Sequence, residues 1–313
     1  MYSYFDAHCD TMSKIHKFGI GLDSDALMVN VNHLSKYKSA VQVFALFNKG
    51  DMCEEEMFSA FRNFKAEAKR LSGSLSICTT ACDITKNKSP LSAILAIEGL
   101  GNQPDFSIDA VTRFWEEGVR FMGLCWNHDN SLCGGCEGEG RGLSELGEKT
   151  LRKMEEKRII LDVSHMSDKS FWESAEVYSL PFCATHSSSR AVFGHHRNIT
   201  DAQFLEIASR GGVCGINFYP PFLGAEKADI STVIKHIEHF MALGGEDSIG
   251  LGSDFDGIDS VPHGIENAGD FYKLFDALLM LNYKEEAVEK IAFGNFLRFF
   301  RSLGDGRETC KEF

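Results

Sequence analysis

The chain lacks several features that would place it at once. It carries no block of basic residues, and 32 Lys and Arg against 45 Asp and Glu leave a net charge of −13. Nucleic acid and anionic membrane surfaces are therefore poor partners. No stretch reaches the roughly 18 consecutive apolar residues that suggest a bilayer-spanning helix. The N-terminus runs straight into Asp6, His8 and Asp10 rather than into a signal peptide, and the polar tail Arg307–Phe313 has no lipidation or anchor signal. No linker rich in Pro, Gly or Ser divides the chain and no short-period repeat occurs, so a single domain over residues 1–313 is expected. Ten cysteines would suit a disulfide framework only in a small secreted chain. Here Cys9, Cys125, Cys183 and Cys214 fall inside predicted strands, and reduced, buried thiols in a cytoplasmic protein are expected.

What is present is the composition of a globular protein with a sizeable core, 43% apolar and 25% charged. Apolar runs of strand length recur at Tyr4–Cys9, Ala40–Phe47, Ala93–Glu98, Val119–Trp126, Ile159–His165, Phe182–His186, Gly212–Tyr219 and Ile249–Asp254. They are nearly continuous rather than alternating, as in parallel strands covered on the outside. Helical spacing fills the intervals at Glu54–Leu71, Ser107–Glu117, Ser144–Lys157, Ser167–Tyr178, Asp201–Arg210, Thr232–Leu243 and Phe271–Leu281, with Ser107, Ser167 and Asp201 as expected capping residues. The link over residues 11–39 is the least clearly helical. Eight strands alternating with helices predict a parallel α/β fold, and eight is the number that closes a barrel. An open doubly wound sheet would be expected to show a Gly-rich phosphate loop after its first strand, and none is there.

Five of these runs end in a metal ligand or proton carrier instead of turn residues. In a closed barrel such endings converge. His8 and Asp10 stand two apart, which on a strand puts both side chains on one face; imidazole with carboxylate suits zinc and other first-row metals. His165 and His186 close consecutive strands 21 residues apart, the span of strand–helix–strand. Glu98, followed by Gly99, would be costly to bury unpaired. Placed between the two pairs it could bridge two ions sharing a hydroxide. Asp254 could accept the proton of that hydroxide and pass it to a leaving group, while Asp256 reads as a turn residue. Cys133-Gly134-Gly135-Cys136 has the spacing of half a zinc site without a second pair; with Gly138, Gly140 and Gly142 it is expected to form a mobile loop over the site. His236 and His239 read as a solvated helix face, and Phe293–Phe300 as a helix packing on the barrel.

In chain order, Asp6-Ala7-His8-Cys9-Asp10-Thr11, Ala96-Ile97-Glu98-Gly99, Asp162-Val163-Ser164-His165, Thr185-His186-Ser187-Ser188, Arg197-Asn198-Ile199-Thr200-Asp201, Asn217-Phe218-Tyr219 and Gly252-Ser253-Asp254-Phe255-Asp256-Gly257 together resemble the renal (membrane) dipeptidase family of zinc peptidases. The resemblance covers essentially the whole chain. It implies a (β/α)8 TIM barrel of the metal-dependent hydrolase type holding two Zn2+, another divalent metal being the alternative. His8 and Asp10 would hold one ion and His165 and His186 the other, with Glu98 bridging. Asp254 matches the family's proton-transfer aspartate. Arg197 matches the arginine that binds the substrate's terminal carboxylate, a pairing that a guanidinium fork suits.

The chain departs from the family at the end of the fourth strand. Many members carry a histidine there that contacts the substrate carbonyl; this chain has Trp126, followed by Asn127 and His128. An indole N–H donates but accepts no proton, so the metal, Trp126 or Asn127 would polarise the carbonyl. Tyr219 completes the expected substrate-binding set. The implied activity is hydrolysis of small dipeptides by a metal-bridging hydroxide, with tolerance of a C-terminal D-residue a family expectation and a homodimer left open. Two alternatives stay in view. One is an amidohydrolase acting on N-acyl amino acids or another small amide or lactone, although such relatives typically begin with His-x-His where this chain has His8-Cys9-Asp10. The other is a non-catalytic metal-binding barrel, against which the full ligand set speaks.

Overall fold

Eight parallel strands form one sheet in the computed structural model, which describes residues 1–34, 36–225 and 227–303. They are β1 (Ser3–Cys9), β2 (Ser39–Phe47), β3 (Leu75–Ile77), β4 (Leu91–Glu98), β5 (Val119–Gly123), β6 (Ile160–Asp162), β7 (Cys214–Ile216) and β8 (Ile249–Leu251). Their order is β6-β5-β4-β2-β1-β8-β7, with the short β3 beside β4 and off that path. The interval between β6 and β7 is filled by Cys183, which bridges Asp162, and Ala184, which bridges Cys214. Val163 N donates to Cys183 O at 2.9 Å, and Gly215 N donates to Ala184 O at 2.9 Å. These two residues stand in for a whole stave, and the ladder comes full circle. The (β/α)8 expectation holds, with Phe182–His186 reduced from a full strand to two paired residues.

Burial follows the pleat. Phe5, Val41, Val43, Ile94, Phe121 and Ile160 belong to one inner cluster, while Tyr4, Phe44, Leu46, Leu95 and Ile97 pack outward against the helices. The terminal helix Asn295–Leu303 stoppers the N-terminal end of the barrel: Phe296 stacks on Phe5 at 5.5 Å and Phe300 on Phe121 at 5.9 Å between ring centroids. The predicted Phe-rich helix is therefore a plug, and the C-terminal end is left for chemistry.

The predicted helices are present to within one or two residues at most ends. In the link after β1 the chain forms α1 (Thr11–Phe18) and a short turn of helix at Val31–Leu34. One capping expectation is corrected: Thr200, not Asp201, caps its helix by accepting from Gln203 N. Ser107 stands at the N-cap as expected, although its hydroxyl accepts from Arg113 Nη2 at 3.3 Å instead of from the helix backbone. Ser167 caps as expected, accepting from Ser170 N at 3.0 Å. His236 is fully buried rather than solvated, because it shares the inward face of its helix with Val233, Ile237 and Phe240. Among the described residues eight cysteines are free thiols, but Cys82 is disulfide-bonded, which corrects the expectation of reduced thiols at that position. Cys310 and the polar tail lie outside the described residues. No helix among those described is long and apolar enough to cross a membrane.

Candidate active site

Strands β5, β6, β7 and β8 all end earlier than predicted, so Trp126, His165, Tyr219 and Asp254 lie on the loops above them. Of the ligand candidates, His8 is on β1 and Glu98 is the last residue of β4. Asp10 is off the strand: at φ −95 and ψ 16 it is the N-cap residue of α1, so the same-face argument for His8 and Asp10 does not hold. Its side chain nonetheless makes no capping bond and reaches the same point.

Ligand atoms of His8, Asp10 and Glu98 lie within 4.8 Å of one another, and so do those of Glu98, His165 and His186. Glu98 belongs to both sets. Its Oε1 is 2.7 Å from His165 Nε2 and 3.7 Å from His186 Nε2, while Oε2 is 3.5 Å from His8 Nε2. The two imidazoles of the second set face each other, Nε2 to Nε2, at 2.9 Å. His8 Nε2 and Asp10 Oδ1 are buried without a hydrogen-bond partner among the described residues. Buried polar atoms left unpaired are costly, and here they point at one place with two carboxylates. That donor set fits divalent first-row metals.

The protein groups polarise the set. Burial alone would lower His8, but Glu98, Asp10 and Asp254 more than offset it and raise it to about 10. Burial and Arg197 lower His165 to about 4, and burial with His8 and Arg197 pushes His186 well below the ordinary value. Burial works against ionised Glu98, yet its three histidine neighbours hold it well below the usual carboxylate range. Burial pushes Asp254 up to about 6, with His8 opposing and Glu98 adding.

Asp254 is half-buried on the loop after β8, within 4.8 Å of ligand atoms of His8 and His186. Asn217 Nδ2 donates to its Oδ2 at 2.9 Å, a partner that sequence reasoning passed over because 37 residues separate them. The loop is pinned by Asp6, fully buried, which accepts from Ser253 N at 2.8 Å and Ser253 Oγ at 2.6 Å. Asp256 is more than a turn residue: it accepts from Thr11 Oγ1 at 2.5 Å, Lys14 Nζ at 3.1 Å and Met28 N at 3.0 Å, tying α1 and its following loop to the site. Of the six non-glycine residues with positive φ among those described, Asn127, His165, Asp254 and Asp256 are here.

Asn127 Oδ1 lies 2.7 Å from His165 Nδ1, so this residue orients the His165 ring. The Cys133–Cys136 segment lies behind the site rather than over it. Cys136 N donates to His165 O at 2.8 Å, and a Cβ on Gly135 would stand 2.2 Å from Asn127 O, so only glycine allows that approach. In front is a cleft of about 440 Å³, floored by Asp10, Glu98, His165 and Asp254, with Phe47, Trp126, Tyr219 and Phe222 among its walls. His128 is exposed and is not among those walls. Arg197 is nearly buried, its guanidinium carbon 5.8 Å from the centre of the Phe222 ring. Its Nη1 and Nη2 donate to Ser187 Oγ and His186 O, both at 2.9 Å, while Nε has no partner among the described residues.

The family model for membrane dipeptidase (peptidase family M19) matches residues 2–312. The chain belongs to the membrane dipeptidase family. It is thereby a member of a family of metallo-dipeptidases, hydrolases acting on peptide bonds. Similar proteins include an uncharacterized Klebsiella pneumoniae protein of the pqqA 5′ region, 32% identical over 245 residues, which cover 74% of this chain and 90% of that protein. An uncharacterized dipeptidase of Schizosaccharomyces pombe is 34% identical over 224 residues, 70% of this chain and 54% of that protein. The chain thus spans about half the length of this yeast relative. The crystal structure of dipeptidase AC, a metallopeptidase of family M19, shares the fold at a TM-score of 0.89 and 24% identity, over 97% of this chain and 99% of that one. In this dipeptidase family the metal cofactor implied by membership meets a donor set suited to it.

Proposed function

We propose that this chain is one catalytic domain that hydrolyses dipeptides with two zinc ions, His8 and Asp10 holding one, His165 and His186 the other, and Glu98 both. The observation that carries the reading is the position of Glu98, shared by two ligand triads beside a buried, unpaired His8 Nε2. When bound, such ions supply Lewis-acid polarisation of a carbonyl and acidify water to near neutrality.

The chain's own groups do the rest. Arg197 offers its unpaired Nε–H to the substrate's terminal carboxylate, and charge-assisted bonds of this kind are strong. Asp254, with a pKa of about 6, suits a group that takes a proton from water and returns it to the departing amine near neutral pH. Asn217 donates to Oδ2 of Asp254 and so fixes the orientation of its carboxylate. Trp126 walls the cleft against Phe47, at 4.9 Å between ring centroids, and presents an indole N–H where the family often has an imidazole. Tyr219 lines the same cleft. Tolerance of a C-terminal D-residue belongs to the same proposal.

Metal analysis combined with a substrate panel tests this reading. Two zinc ions per chain, dipeptide hydrolysis lost on chelation and restored by Zn2+, and no turnover of N-acyl amino acids are expected. Two zinc ions with turnover of N-acyl amino acids alone would favour the amidohydrolase alternative. Zinc without any hydrolysis would leave a metal-binding barrel.

A further inference from the structure

Behind the ligand atoms, one hydroxyl touches both halves of the site. Thr185 precedes His186 and is buried. Its Oγ1 donates to Asp162 Oδ2, and lies 2.8 Å from His186 Nδ1 and 3.4 Å from His8 Nδ1. Asp162, the last residue of β6, is itself held in place: its Oδ1 accepts from Ser164 N and from Thr185 N, both at 2.9 Å.

The proton count decides the rest. A threonine hydroxyl has one proton and two lone pairs, and an ionised carboxylate only accepts. Asp162 therefore takes the Thr185 proton, and both lone pairs of Oγ1 are left facing imidazole nitrogens. Each of those nitrogens must bring a proton of its own. His186 and His8 then carry hydrogen on Nδ1, which leaves Nε2 of each as the nitrogen that faces Glu98 and an ion. His165 is set separately, by Asn127. Partners of this type raise the affinity of a ligating histidine by fixing its tautomer and ring orientation. What differs here is that one side chain serves a ligand of each ion.

We propose that Asp162 and Thr185 form a shared positioning pair, which sets the tautomers of His8 and His186 together and so couples metal affinity at the two half-sites. The proposal rests on the two-ion reading given above. It concerns residues that position ligands and do not touch substrate.

Zinc titration of metal-depleted protein against a competing chromophoric chelator tests it, with wild type, Thr185→Val and Thr185→Ser side by side. Thr185→Val is nearly isosteric, and its metal-free melting temperature, compared with wild type, checks folding. Loss of affinity for both ions, roughly 10- to 100-fold, is expected in Thr185→Val, with recovery in Thr185→Ser. Wild-type affinity at either half-site in Thr185→Val would overturn the proposal. The 15N shifts of the His186 ring in metal-free protein give a readout free of zinc: an Nδ1–H tautomer in wild type that is lost in Thr185→Val supports the pair, and an Nε2–H tautomer in wild type sinks it. Should wild type take up no zinc, the two-ion reading fails, and the ring shifts still decide the hydrogen-bond assignment.

Discussion

The two halves of the site differ in the groups that surround their imidazoles. On the β1 side His8 sits among Asp10, Glu98 and Asp254, which hold it up at about 10 against its burial. On the far side burial and Arg197 hold His165 down at about 4, and His186 is lowered too. One half gathers carboxyl groups around an imidazole, with burial and Glu98 pushing Asp10 well above the usual carboxylate range. The other presents neutral lone pairs beside a fixed positive group. Glu98 is the element common to both, and its two oxygens divide between them. The difference gives the site an axis, from the carboxylates gathered at the first strand to the guanidinium of Arg197; under the proposed function, a dipeptide would lie along it.

The largest effect is expected where the comparison is broken outright. Glu98→Gln should lose both ions and bring hydrolysis to the metal-free level, as measured by metal content after gel filtration; retention of either ion at wild-type affinity would show that the halves do not depend on a common carboxylate. Asp254→Asn should leave metal content intact and lower kcat roughly 10²- to 10⁴-fold. Unchanged kcat would assign the proton to another group. Arg197→Met removes the cationic end and should weaken dipeptide binding by about 1.5–3 kcal/mol, read as KM with kcat largely kept.

A buried histidine outside the site supplies the control. His236 accepts from Ser189 N at 3.1 Å, and burial lowers its pKa to about 4 although the Leu223 carbonyl opposes the shift. A depressed histidine pKa means that the unfolded chain binds the proton more readily. The stability that depends on neutral His236 is present in full above pH 6.5 and is lost as pH falls toward 4, by about 3 kcal/mol at most. Melting curves at pH 7 and pH 4.5 should show a smaller acid loss in His236→Gln than in wild type. An equal loss in both would place the acid sensitivity in the metal site instead. The smallest change is expected for Trp126→Phe, a severalfold shift in kcat/KM if the indole N–H meets the substrate; identical rates in Trp126→Phe and Trp126→His would leave Trp126 as wall alone.

The residues that gather at the end of the barrel were legible in the sequence because few reasons exist for His, Asp and Glu to stand at the ends of apolar runs. The closed barrel was legible from the alternation of apolar runs with helical spacing, and the Phe-rich segment as a helix packing on it, though not as the plug of one end. The lengths of the staves were not. Phe182–His186 reads as a strand, yet Thr185 N gives its hydrogen to Asp162 Oδ1 and His186 N to Ser164 Oγ, so side chains take over donors that a ladder would use. Ser253 N likewise goes to Asp6 and helps end β8 early. Three-residue β3 is too short to show a period. His236 was misread from its charged neighbours, although Val233 and Phe240, three before and four after, mark the inward face. Asn217 and Thr185 stand in motifs of the family resemblance, but spacing alone gave them no role, because their contacts with Asp254 and Asp162 join separate staves.

The left-handed residues around the site bear on how this protein can change over generations or in the hands of an engineer. Asn127, His165, Asp254 and Asp256 each hold a backbone shape that glycine adopts freely, at a cost of order 1–3 kcal/mol apiece for other residues. A selection scored on heat resistance alone would weigh glycine at His165 and Asp254, though not at Asp256, whose carboxylate holds Thr11, Lys14 and Met28, and a lineage released from the need for turnover would drift the same way. Such a descendant would keep its barrel and Phe plug and have lost an imidazole and a carboxylate from the proposed metal site.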